Sequence, residues 1–209
     1  MKHLLYIFCL ASTWSLFAQQ NDTKKADSIQ LHQIRVELET IFKKDQTFRR
    51  IYQEAEKKLG RDSFEMEYFW EVVEAQDKVL EKRVCAIIDT HGWLGISQVG
   101  RLANTTLWAV LQHGSVASKE KYAPLLKASV LQKESRAIHY ARLIDRMLIN
   151  SNKAQLYGTQ YEYDDKGKAS FFPIETPELL NKRRKELGLN SMEEFAASLK
   201  IEWTQTSKQ

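Results

Sequence analysis

Residues 140–160 read YARLIDRMLINSNKAQLYGTQ, and two periodicities meet in them. Ile138, Ala141, Asp145 and Leu148 are three and four positions apart, so they share one face of a helix over residues 135–150. Just downstream, LYGTQYEY and KASFFPI flank DDKG, which predicts a hairpin with Gly167 supplying a positive φ. This is the one convincing β signal in the chain. The expected class is therefore mainly α: a multi-helix domain with one small β-hairpin near the C-terminal third.

Outward from that stretch the pattern is helical. Ile29, Ile34, Leu38, Ile41 and Phe42 fall mostly on one face of a helix from Ser28, and a second segment runs from Gln46 to Leu59 before Gly60 stops it. Ser63 is placed to cap a long helix carrying Phe64, Tyr68, Phe69, Val72 and Val73 and reaching Val84 or Ile88. DTHGWLG, residues 89–95, reads as a loop. Ser97 caps the next helix, which ends at His113-Gly114, and Ser118 opens another that tolerates Pro124. Beyond the hairpin, Thr176-Pro177 is a helix start, Gly188 a stop, and Ser191-Met192-Glu193-Glu194 a capping box. There is no internal repeat.

The chain opens with MKHLLYIFCLASTWSLFA, a short apolar run closed by a small residue and followed by polar QQNDTKK. That pattern predicts a cleaved signal peptide over residues 1–18 and export to the periplasm or beyond. The run is too short and too interrupted for a transmembrane anchor, so no membrane span is expected after cleavage. A flexible leader over 19–27, one helical domain over 28–203 and a polar tail over 204–209 complete the expected organisation. Only Cys85 remains after cleavage, within the apolar run Val84 to Ile88, where a thiol is a small core residue. The formal net charge of +4 is made of interspersed signs, without the one-sided basic field of a nucleic-acid binder.

Several residues are candidates for chemistry. Asp145 lies on an apolar stripe, where a carboxylate must be paired, hydrogen-bonded or shifted in pKa. It is read as a general base, a cation ligand or the anchor of a histidine, or else as a structural ion pair or loop cap. His113 stands at the inner end of the stripe Val99, Leu102, Thr106, Val110, suited to proton transfer or to stabilising a helix C-terminus. His91 sits in a loop beside Trp93. On a strand, Gln155, Tyr157 and Thr159 face one way and Leu156, Gly158 and Gln160 the other, offering neutral recognition groups. Gly158 would admit a ligand or a backbone. No HExxH, paired cysteines or compact histidine cluster is present, so neither metal nor cofactor is expected.

Taken together, DQTFRR (45–50), Gly92-Trp93, Val99-Gly100, QHG (112–114), YARLIDR (140–146), QLYGTQ (155–160) and RRKELGL (183–189) resemble a bacterial family, domain of unknown function 6624. QxYGTQ after a DR helix is the specific part. Members usually carry an acidic residue soon after the QH pair, where this chain has Gly114-Ser115, and often Pro after GW, where it has Leu94. The resemblance implies no reaction. It does add Asp45, Gln46, Arg49 and Arg146 to the candidates and implies one shared polar pocket.

The expectation is an exported hydrolase- or lyase-like enzyme acting on a small molecule or peptide. His113 and Asp145 would carry acid–base chemistry. Arg49 or Arg146 would hold an anionic group, and Asp45, Gln46, His91, Gln155, Tyr157 and Gln160 would line the substrate site. The alternative is a cell-envelope binding or interaction module without catalysis.

Overall fold

In the computed structural model the described backbone covers residues 5–164 and 167–204, with side-chain surroundings described from residue 27. The expected signal segment, most of the 19–27 leader and most of the polar tail thus lie outside the described side chains.

Five helices build the body. They are α1 (Leu5–Leu59), α2 (Phe64–His91), α3 (Ile96–His113), α4 (Val116–Leu131) and α5 (Ala137–Asn150). A two-stranded antiparallel hairpin follows, β1 (Tyr161–Tyr163) and β2 (Ala169–Phe171), with Tyr161 opposite Phe171. A 3₁₀ turn (Pro177–Leu179) leads into α6 (Leu180–Glu186), and α7 (Met192–Leu199) closes the chain. The mainly helical class with one small hairpin is what the structure has.

The core forms where the apolar stripes of α1 to α5 converge. Leu38, Val84, Leu107, Leu126 and Leu143 are each fully buried there. Burying such a side chain contributes about 1.5–3 kcal/mol, so these stripes dominate the stability of the body. Cys85 packs half-buried against this core, its Sγ 3.6 Å from Ser118 Oγ.

Helix ends follow side-chain chemistry, with some shifts. Ser63 caps α2 by accepting from Met66 N, and Ser191 and Glu194 form the expected capping box of α7. α1 does not break near Gln46: no glycine or proline interrupts it before Gly60, and one helix spans both expected segments. The cap of α3 is Gly95, whose N–H donates to Gln98, because Ser97 N is taken by Glu134. The cap of α4 is Ser115 rather than Ser118: Ser115 Oγ accepts from Ser118 N. Thr176 makes no side-chain cap, and Pro177 opens a 3₁₀ turn first.

The largest departure is at 155–160. These residues form a folded loop instead of a strand, with only an isolated bridge from Gln155 to Ile174. The alternating-face reading therefore fails for Gln155, Tyr157 and Gln160. Three backbone N–H groups of the loop turn onto Asp145, and Gly158 has φ +69°. A Cβ at Gly158 would come 2.8 Å from Met192 Sδ, so the close approach belongs to α7 and not to a ligand.

Candidate functional site

The last turn of α3 carries Gln112 and His113 and is held from several sides. Gly114 ends the helix with Glu81 of α2 pressed against it, where a Cβ would meet the carboxyl at 2.9 Å. Glu81 Oε1 accepts from Ser115 N at 2.8 Å and from Ser115 Oγ at 2.6 Å. Lys119 Nζ donates to Gly114 O at 2.7 Å. The His113 backbone is thereby fixed against α2 and α4.

Across from it, Ile34, Leu38, Ile41 and Asp45 share one stripe of α1, and Asp45 is only 1 % exposed. His113 Nδ1 lies 3.1 Å from Asp45 Oδ1, and Gln46 Nε2 donates to Oδ2 at 2.7 Å. One turn on, Arg49 makes three bonds. Its Nη1 donates to Asp45 O at 2.8 Å, its Nε to His113 Nε2 at 3.1 Å, and its Nη2 to Asp77 Oδ2 at 2.6 Å. Because Nε2 accepts from Arg49, this network assigns the ring proton to Nδ1, which donates to Asp45. Burial alone would raise the Asp45 pKa. The hydrogen bond from His113, the charge of Arg49 and the Gln46 amide outweigh it, and the net is downward. Asp45 is thus an ionised carboxylate behind a half-exposed imidazole.

The structure brings together Asp45, Gln46, Arg49 and His113 of the expected set. Arg146 stands near them: it is within electrostatic reach of Lys119, which is bonded beside His113, and it has no side-chain hydrogen bond among the described residues. Asp145 is elsewhere. It is fully buried, and its oxygens accept from the N–H groups of Leu156, Tyr157 and Thr159 and from Thr159 Oγ1, all at 2.8–2.9 Å. The carboxylate on His113 is that of Asp45, so the pairing of His113 with Asp145 is corrected.

Gln155 also faces inward: its Nε2 donates to Gln160 O and Phe172 O, and its Oε1 accepts from Gln160 N. Gln160 donates to Thr159 Oγ1. The Tyr157 ring packs near Tyr140, and its carbonyl accepts from Arg184. These three hold the loop together. His91 closes the far end of α2, about 21 Å along the helix axis from Asp77.

Two features were not singled out from the sequence. Val73, Asp77, Leu80 and Val84 repeat on the buried stripe of α2, so Asp77 gave the same signal as Asp145. Its Oδ1 is buried without a partner. His139, 2 % exposed, stacks on Trp108 at 4.2 Å with planes 2° apart, a contact between two helices that no local pattern announces. Among the described residues no three His, Cys, Asp or Glu side chains converge as a metal site would require. No described helix is long and apolar enough to cross a membrane.

A family model, described as a family of unknown function (DUF6624), matches residues 32–205. No curated protein and no solved structure matches the chain.

Proposed function

The chain belongs to the family of unknown function DUF6624, and on that footing we propose that it is an exported enzyme of hydrolytic or lyase type. His113 is its general acid and base, and Asp45 holds the imidazole in one tautomer. The supporting observation is the chain Asp77–Arg49–His113–Asp45, drawn from three helices, with the carboxylate buried behind a histidine whose side chain is 29 % exposed. An ionised carboxylate on Nδ1 fixes the tautomer and the orientation of the ring, leaving Nε2 as the atom that would face a substrate. Arg49 is the nearest cation to that atom. An anionic group that draws the guanidinium away both orients the substrate and frees the Nε2 lone pair. The substrate is then a small molecule or peptide bearing an anionic group, and the proposed place of work, from the leader sequence, is the periplasm or beyond.

The same Arg49 bond favours a second reading, an envelope binding module, because the unliganded imidazole offers no free lone pair. Turnover separates the two. Wild type is screened against p-nitrophenyl phosphate, p-nitrophenyl acetate and anionic peptides, and His113→Ala is compared on whatever turns over. The enzyme reading expects a loss of about 10²-fold or more with the thermal midpoint kept. Undiminished turnover in that variant rules out His113 as the acid–base group, and binding without turnover favours the module.

A further inference from the structure

Among the described residues, the stripe of α5 made by His139, Arg142 and Arg146 has no anionic partner. The two arginines are one turn apart, so their side chains emerge side by side. Neither has a hydrogen bond or a carboxylate within ion-pair distance among the described residues. Arg142 is half-buried, and its near neighbours are the neutral phenol of Tyr161 and a further cation, Arg136. Burial disfavours the Arg142 charge, opposed among the described residues only by Tyr161, while Arg146 is an exposed residue whose charge is partly desolvated.

The stripe can be placed. His139, at its start, stacks on Trp108 of α3. Arg146, seven residues later, senses Lys119, which is bonded to the residue that ends α3. The stripe therefore runs along α3 in the same direction, and Arg142 comes level with Gln112 while Arg146 reaches the His113 end. On the other side, Tyr161 is near Arg142 and also near Tyr52, one turn beyond Arg49 on α1. Along this strip Trp108 Nε1, Gln112 Oε1 and His139 Nδ1 are buried without partners. Unpaired buried polar atoms beside unpaired guanidinium groups describe a site completed from outside the chain.

We infer that Arg142 and Arg146 form an anion-binding pair that anchors a phosphate or carboxylate group of a ligand whose other end meets His113. The pair suits such a group because two guanidinium forks supply parallel N–H donors to its oxygens. The location beside His113 rests on the acid–base reading above; the anion site itself does not.

The test is calorimetric titration of the full chain with inorganic phosphate and, separately, acetate. Wild type should bind at least one of them saturably. Arg142→Gln and Arg146→Gln should each weaken binding about tenfold or more, with unchanged melting, while the exposed Arg35→Gln should not. Phosphate preference identifies a phosphoryl ligand and acetate preference a carboxylate. Binding to wild type no tighter than to the double arginine variant overturns the inference. His113→Ala should still bind the anion, whatever it does to turnover, so failure of the acid–base reading is separately visible. Saturation that leaves the His113 ring resonances unmoved overturns the placement beside His113.

Discussion

Asp145 shows how one buried charge is made tolerable. An isolated carboxylate in an apolar interior is too costly to persist, yet four donors from residues 156–159 converge on this one. Burial pushes its pKa up against those four bonds, which pull it down. Asp145→Asn replaces one acceptor oxygen by an NH₂ group pointed at N–H donors. The expected cost is about 3 kcal/mol, or a thermal midpoint lower by roughly 10 °C. An unchanged midpoint would mean that the loop does not depend on the carboxylate. Periodicity alone marked Asp145, because a charge on an apolar stripe is visible in one dimension. Asp77 carried the same signal without being singled out, and Asp45 entered through the family resemblance. Their partners were not visible, since each lies on another element or in a loop distant in sequence.

At the scale of elements, α3 bends where the family motif has Gly100. Its φ of +81° and ψ of +167° interrupt the helix one turn after it starts. An added Cβ there has room, the nearest atom being 3.7 Å away on Arg35, so the obstacle to substitution is conformational. Gly100→Ala should therefore cost about 1–2 kcal/mol, read as a lower urea midpoint with an unchanged slope. A straight continuation of α3 would swing its far end, with Gln112 and His113, off α1. The helices and most of their stops were legible from spacing, glycine and capping residues. The loop 155–160 was not: its composition suits a strand, and a tertiary contact with α5 overrode that local preference.

For the whole molecule, acid should act through two groups in sequence. Burial, with Arg136 and Arg142 nearby, lowers the His139 pKa to about 3. The unfolded chain, with an ordinary histidine near 6.5, then binds more protons than the folded one between these values. Stability falls as pH drops from about 6.5 toward 3. His139→Phe keeps the stack on Trp108 and removes this loss. At pH 5 it should be more stable than wild type by about 2 kcal/mol, measured against the difference at pH 8; an equal difference at both would exclude the histidine as the cause. Asp45 acts later and with the opposite kind of shift. Its pKa is lowered, so its contribution is present above the usual carboxylate range and fades below it. Asp145, with its pKa raised, adds no acid lability of its own.

The contact of Asp145 with residues 156–159 also bears on cooperativity. The hairpin, α6 and α7 are held to one another by Arg183 and Arg184 bonding to the carbonyls of Leu156 and Tyr157, by Met192 against Gly158, and by Phe171 against Phe195. The helical body has its own core without them. The carboxylate at the junction grips the loop from the side of α5, while the arginines grip the same loop from the side of α6. Two regions that each have internal bonds melt together only as far as the loop between them transmits load. That junction, with the Tyr140–Tyr157 ring contact and Leu187 packed on the core, thus sets how far this chain unfolds as a single unit or in two steps.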